Sequence, residues 1–317
     1  MIRDIKPGDK VIAFFVLRRK ELKSKKGSNE PYLSLELGDA SGRVSATLWE
    51  NARTGFEAVE KGDIVKVKAN AIHFKQRLHL NVEKIRKAEK SDDFDLKQLL
   101  AVVEKDRDLL LSQLDSHIKS VDNPFLKKLL HEIFHDDTIR AQFKDAPGGK
   151  LWHHNYIGGL LEHTLSVTDI SLKVSEVVPE GNRDLLVAGG LLHDIGKIKT
   201  FSYHTLIDYT DEGRLVGHIV LGEQIVCEKI KRIPDFPKDL ENQIIHLILS
   251  HQGKLEQASP VVPMTLEGLI LYYADELDSK ANAFLRIRSK EMTNEVKWSS
   301  FVKLLDRYLY FGNEQKK

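Results

Sequence analysis

The chain has 317 residues, of which 41% are apolar and 30% charged. That is the balance of a globular protein long enough for two domains. No apolar run reaches the ~18 residues needed to cross a bilayer, Met1–Lys10 has no apolar core of a signal peptide, and Cys227, the only cysteine, rules out an internal disulfide and points to the cytoplasm.

The formal net charge of +1 hides an asymmetry. Residues 1–90 carry 20 Lys+Arg against 12 Asp+Glu, which leaves 28 against 35 for residues 91–317. A basic module is joined to an acidic one, and a basic module suits a polyanionic partner.

In chain order, residues 10–90 read as five strands. Val11–Leu17 is a short apolar run. Tyr32–Leu37 and Val44–Trp49 alternate with period two, and Gly38-Asp39-Ala40-Ser41-Gly42 between them has hairpin turn chemistry. Ile64–Ala69 and Leu78–Ile85 complete the set. A small closed barrel is the economical arrangement, because closure removes exposed strand edges. The stretch "YLSLELGDASGRVSATLW" (Tyr32–Trp49) resembles the central hairpin of a nucleic-acid-binding OB-fold. That resemblance implies single-strand binding in a basic groove with aromatic platforms. Candidate contacts are Tyr32, Trp49, His73, Phe74, Lys75 and Arg77, with Phe14 and Trp49 both divided between barrel core and surface.

Residues 89–150 read as a helical connector. Leu96, Leu99, Leu100, Val103, Leu109, Leu110 and Leu114 fall on a helical stripe, and Phe125–Phe134 forms a further helix after Asn123-Pro124. From Tyr156 onward every segment reads as helix: Ile157–Val178, Arg183–His193, His218–Ile233, Lys238–Gln252, Thr265–Phe284 and Glu295–Phe311. The expected organisation is an OB barrel at 1–88, the connector at 89–150, an all-α metal-binding domain at 151–285, and a C-terminal helix and tail at 286–317. The fold class is thus multidomain, with separate β and α parts.

Eight of the 13 histidines lie between His153 and His251. Imidazole and carboxylate together suit Mn, Fe, Co, Ni or Zn, and a carboxylate can bridge two ions. His193-Asp194 ends the apolar run Leu185–Leu192, where buried charge is costly unless neutralised. His163 stands among leucines, His251 ends Ile244–Leu249, and Asp275 lies within an apolar helix. His246, five residues before His251, points away from it on a helix.

The order His163 … His193-Asp194 … Asp275, with "LLHDIGKI" at Leu191–Ile198, resembles the HD-domain metallophosphohydrolases. The resemblance implies one ion held by His163, His193, Asp194 and Asp275, and a second by Asp194, His218 and His251. Two-metal members often show a His-His pair where this chain has His251-Gln252, which leaves that position one contact short. "HHNYIGGLLEHTLSV", "LVGHI" and the stretch Ile248–Phe284, with the OB module ahead of them, narrow the resemblance to the YhaM-type 3′→5′ exoribonucleases.

That family implies stepwise, metal-dependent hydrolysis of single-stranded RNA, and also DNA, from the 3′ end. Manganese is favoured, with cobalt, magnesium, iron or nickel as alternatives. His193, Asp194 and Lys197 are the expected catalytic residues, Lys197 holding a phosphate oxygen. Lys150, His153 and His154 would line the substrate entrance, a structural or capping role being the other reading of His153 and His154, with His204, Asp278 and Glu162 orienting ligands. No membrane partner is expected, and a homo-oligomer stays open. Two other readings are an HD-domain nucleotide phosphohydrolase and a non-catalytic RNA-binding protein. A mononucleotide needs no strand-tracking module, and the complete ligand set argues against decay.

Overall fold

The computed structural model describes residues 1–312 except 26, 75–76, 204 and 293–295. Lys75 and His204 therefore lie outside the described residues. The chain divides into two compact units: residues 1–102 with 202–208, and residues 103–201 with 209–317.

The first unit is a closed five-stranded barrel in the order β1-β2-β3-β5-β4. The strands are β1 (Lys10–Ser24), β2 (Pro31–Asp39), β3 (Gly42–Leu48), β4 (Ile64–Phe74) and β5 (Arg77–Lys87). The long β1 closes the barrel by pairing with β4 through its first half and β2 through its second, bending at an irregularity between Leu17 and Arg19. The period-two residues point inward as expected. Leu33, Leu35 and Leu37 meet Val44, Ala46, Leu48, Val65, Val67 and Leu80 in one core. The short helix α1 (Ala52–Glu57) between β3 and β4 was not legible in the sequence.

Residues 89–102 belong with the barrel rather than with a connector. Phe94 packs on Phe14 (ring centroids 5.0 Å), Ala40 N–H donates to Gln98 O, and Asp92 pairs with Lys66 and Arg86. The expected leucine stripe is accordingly split into α2 (Leu96–Leu99) and α3 (Arg107–Lys119). Asp106 caps α3 by accepting from Asp108 N–H and Leu109 N–H.

The second unit continues with α4 (Pro124–Phe134), α5 (Asp137–Asp145), α6 (Gly159–Val177), α7 (Arg183–Leu192), α8 (Lys197–Thr200), α9 (Asp211–Leu215), α10 (His218–Ile230), α11 (Lys238–Ser250) and α12 (Leu266–Glu291). A two-stranded ribbon, Phe201–Ser202 with Asp208–Tyr209, corrects the expectation of helix throughout. Asn182 starts α7 by capping Asp184 N–H and Leu185 N–H. Leu185 to Leu192 are buried on every side, which makes α7 the central helix, packed by α3, α4, α6, α11 and α12.

The expected helix Glu295–Phe311 does not form. The described part of that segment is irregular, with isolated bridges at Trp298–Tyr310 and Val302–Arg307. Its serines bind backbone and carboxylate groups instead of continuing a helix: Ser299 Oγ accepts from Leu309 N–H, and Ser300 donates to Glu291. Helix α12 runs on to Glu291, past the expected boundary at 285.

Candidate metal centre

Five helices of the second unit deliver the site. His163 lies in the first turns of α6, His193 follows the last residue of α7, and Asp194 opens the turn to α8. His218 is the first residue of α10, His251 caps α11, and Asp275 and Asp278 lie one turn apart on α12. The turn must be tight for this to work. A Cβ on Gly196 would stand 2.0 Å from the His218 carbonyl oxygen, so only glycine lets the start of α10 reach Asp194.

Asp194 is 1% exposed and its two oxygens face two groups of donors. Oδ2 lies 3.4 Å from both His163 Nε2 and His193 Nε2. Oδ1 lies 3.5 Å from His218 Nε2 and 3.6 Å from His251 Nε2. Asp275 Oδ1 is 3.2 Å from His163 Nε2, on the Oδ2 side. Within each of the sets His163-His193-Asp194 and Asp194-His218-His251, the ligand atoms lie within 4.8 Å of one another.

Hydrogen bonds fix which nitrogen each ring offers. His193 Nδ1 donates to Gly190 O at 2.8 Å, His251 Nδ1 to Ile248 O at 2.7 Å, and His163 Nδ1 to Asp278 Oδ2 at 2.7 Å. In the neutral ring that leaves each Nε2 with a lone pair aimed inward. His163 Nε2 and His193 Nε2 then face each other at 3.3 Å, where two nitrogen lone pairs repel unless a proton or a metal cation lies between them.

Burial opposes protonation of His163, but its bonds to Asp194, Asp275 and Asp278 outweigh this and raise its pKa well above the usual value. Burial pushes His218 down to about 3 and His251 down to about 4, so both are neutral near pH 7. Burial also opposes ionisation of Asp194, yet Lys197 and His193 hold it well below the carboxylate range. Asp194 Oδ1 and His218 Nε2 are buried without a hydrogen-bond partner among the described residues. Orphaned oxygen and nitrogen donors beside ionised carboxylates fit a divalent cation.

The other expected residues divide. Lys197 is buried with its ammonium on Asp194 Oδ2. His154 is corrected: it is not at an open entrance but 3% exposed, with Nε2 donating to Asp278 Oδ2 at 2.8 Å and Nδ1 2.9 Å from the Tyr156 hydroxyl. Its left-handed backbone (φ 44°) turns the ring inward, towards α12. His153 instead lies beside the ligands, 5.0 Å from the His163 ring, with both ring nitrogens unpartnered among the described residues. Half-buried Lys150 places its ammonium 5.2 Å from the Tyr209 ring centre. Glu162 accepts from the Tyr156 hydroxyl at 2.6 Å, one step from His154. His246 Nε2 accepts from Met264 N–H and is not among the grouped donors.

On the barrel, the expected contacts line up with residues that the sequence did not reveal. Tyr32 and Trp49 rings lie 4.9 Å apart, with Lys25 Nζ 5.9 Å from the Trp49 ring. Trp49 Nε1 donates to Asn81 Oδ1. Asn81 pairs in register with Thr47, whose hydroxyl is 3.0 Å from His79 Nε2, and the His79 ring is 5.7 Å from Phe74. Trp49 is 45% exposed and Phe74 54%, with His73 and Arg77 exposed nearby. Phe14 is half-buried under Phe94, away from this row.

Residues 3–88 match the OB-fold nucleic acid binding domain model, and residues 160–280 match the HD domain model. The chain is 32% identical over 295 residues to the 3′-5′ exoribonuclease YhaM of Bacillus velezensis, covering 91% of this chain and 92% of the relative. It is 32% identical over 288 residues to YhaM of Bacillus subtilis, covering 89% and 90%. Among solved structures, the second OB-fold domain of replication protein A from Methanococcus maripaludis is 26% identical, covering 29% of this chain and 97% of that one, with a TM-score of 0.24. Identity at this level along nine-tenths of both chains, with both domain models in order, establishes that the chain belongs to the YhaM family of 3′-5′ exoribonucleases.

Proposed function

We propose that the buried His/Asp centre is the hydrolytic site of a metal-dependent 3′→5′ exoribonuclease, and that its residues would hold two divalent ions, with Asp194 contributing to both positions. One observation carries this reading: a single enclosed carboxylate turns one oxygen towards His163 and His193 and the other towards His218 and His251. His163, His193, Asp194 and Asp275 would hold one ion, and Asp194, His218 and His251 the other. Bound divalent ions supply a nucleophile near neutral pH and neutralise charge on phosphate oxygens. The protein's own part is positional. His193 and Asp194 fix the donors, and Lys197 brings a buried positive charge where a phosphate oxygen would approach.

Single-stranded RNA is the substrate, captured by the row Tyr32-Trp49-Phe74 and the exposed Arg77, with DNA single strands as a second substrate. Manganese is the ion favoured, and a lone half-buried cysteine supports a cytoplasmic setting. Among the described residues no helix is long and apolar enough to cross a membrane. The test is incubation of 5′-labelled single-stranded RNA with protein and Mn²⁺. A ladder shortening from the 3′ end supports the reading. Intact RNA alongside hydrolysed free nucleotides would overturn it.

A further inference from the structure

His251 and Gln252 follow the last turn of α11. Because His251 Nδ1 donates to Ile248 O, its single lone pair is on Nε2, on the side of Asp194 Oδ1. Gln252 Nε2 lies 3.1 Å from that same nitrogen. The direction of this bond follows from the neighbour: the His251 Nε2 has no proton to give, so the Gln252 amide donates. An imidazole nitrogen has one lone pair, which can serve an amide N–H or a cation but not both.

The other donors of the same group differ. Among the described residues, Asp194 Oδ1 and His218 Nε2 have no hydrogen-bond partner. On the opposite side, Lys197 does pair with Asp194 Oδ2. A carboxylate oxygen can accept from an ammonium and still face an ion, because it has more than one lone pair. Among the described residues, His163 Nε2 and His193 Nε2 face each other and the Asp194 and Asp275 carboxylates, which an arriving cation also attracts. Competition from a neutral amide falls on His251 Nε2.

We propose that Gln252 sets the affinity of the second metal position: its amide competes with the ion for His251 Nε2, so this position fills at a higher ion concentration than the first. The inference rests on the two-position reading above. It makes the number of bound ions depend on ion supply, and makes residue 252 the place where that dependence is set.

The test is calorimetric titration of the chelator-stripped full chain with Mn²⁺, alongside electron paramagnetic resonance for exchange-coupled Mn pairs. Wild type, Gln252→Ala and Gln252→Leu are compared, the leucine keeping bulk while removing the donor. The expected result is two classes of site in wild type. The weaker class tightens about 3- to 10-fold in both variants, the worth of one ordinary hydrogen bond, while the stronger class does not move. Coupled pairs then form at lower Mn²⁺. If the weaker class is unchanged or loosened in both variants, Gln252 does not compete and the proposal fails while the two-position reading stands. A single class in wild type, unaffected by His218→Ala, overturns the two-position reading and the proposal with it.

Discussion

Gly196 and His218 touch through backbone: a Cβ on the glycine would stand 2.0 Å from the histidine carbonyl oxygen and 2.5 Å from Gly222 N. The contact brings α10 close enough for His218 to share Asp194 with His163 and His193. Gly196→Ala must push α10 away. The expected cost is about 1–3 kcal/mol of stability, read as a lowered Tm, together with loss of the weaker Mn²⁺ class in titration. A variant with both wild-type Tm and wild-type stoichiometry would show that the close approach does not matter.

His193→Ala or Asp194→Ala removes a central donor. Each variant is expected to lose RNA cleavage in Mn²⁺-replete buffer while still binding single-stranded RNA, because the barrel is untouched. Gel-based cleavage and fluorescence anisotropy on the same preparations separate the two. Wild-type turnover by either variant would sink the site assignment.

Asp278 orients His163 from the edge opposite Nε2. It accepts from His163 Nδ1 and His154 Nε2 at 2.7 and 2.8 Å, and from Ser166 Oγ. Asp278→Asn exchanges one accepting oxygen for a donor. Metal affinity is expected to fall about 10- to 100-fold, the usual effect of losing a group that orients a histidine ligand. Calorimetry measures this directly. A drop in turnover at saturating Mn²⁺ with affinity unchanged would assign Asp278 a different role.

The aromatic row of the barrel makes a separable prediction. Trp49→Ala and Phe74→Ala should each weaken single-stranded RNA binding by about 1–3 kcal/mol, the worth of one stacked base. Cleavage at saturating RNA should stay near wild type. Arg77→Ala should instead flatten the salt dependence, since a phosphate contact releases a counterion. Affinity measured from 50 to 200 mM salt distinguishes stacking from charge.

Metal binding should also register as stability, because folding assembles the donors from α6, α7, α10, α11 and α12. Mn²⁺ at ~100 times its Kd adds about 2.7 kcal/mol, visible as a rise in Tm that chelator reverses. The rise should vanish in Asp194→Ala.

The ligands were legible because charge inside apolar helices has few explanations: His163, Asp275 and the pair at the end of α7 each contradict their surroundings. The barrel was legible from period-two alternation at Tyr32–Leu37 and Val44–Trp49. The role of His154 was not, because it depends on a left-handed backbone and on a carboxylate 124 residues further along. Thr47, His79 and Asn81 were hidden for a similar reason: they meet through the parallel pairing of β3 with β5, which no local pattern encodes. The C-terminal helix was misread because apolar spacing at Trp298, Phe301, Val302 and Leu305 imitates a helical face. The serines that divert the backbone there act through Glu291 and Leu309, several residues away.

One turn of α12 grips both edges of a single imidazole: Asp275 faces His163 Nε2 while Asp278 holds its Nδ1. A small rotation of that helix would therefore release ligand and orientation in the same movement. The donor and the group that aims it are thus mechanically tied, and a substitution that loosens α12 anywhere between these carboxylates disturbs both at once.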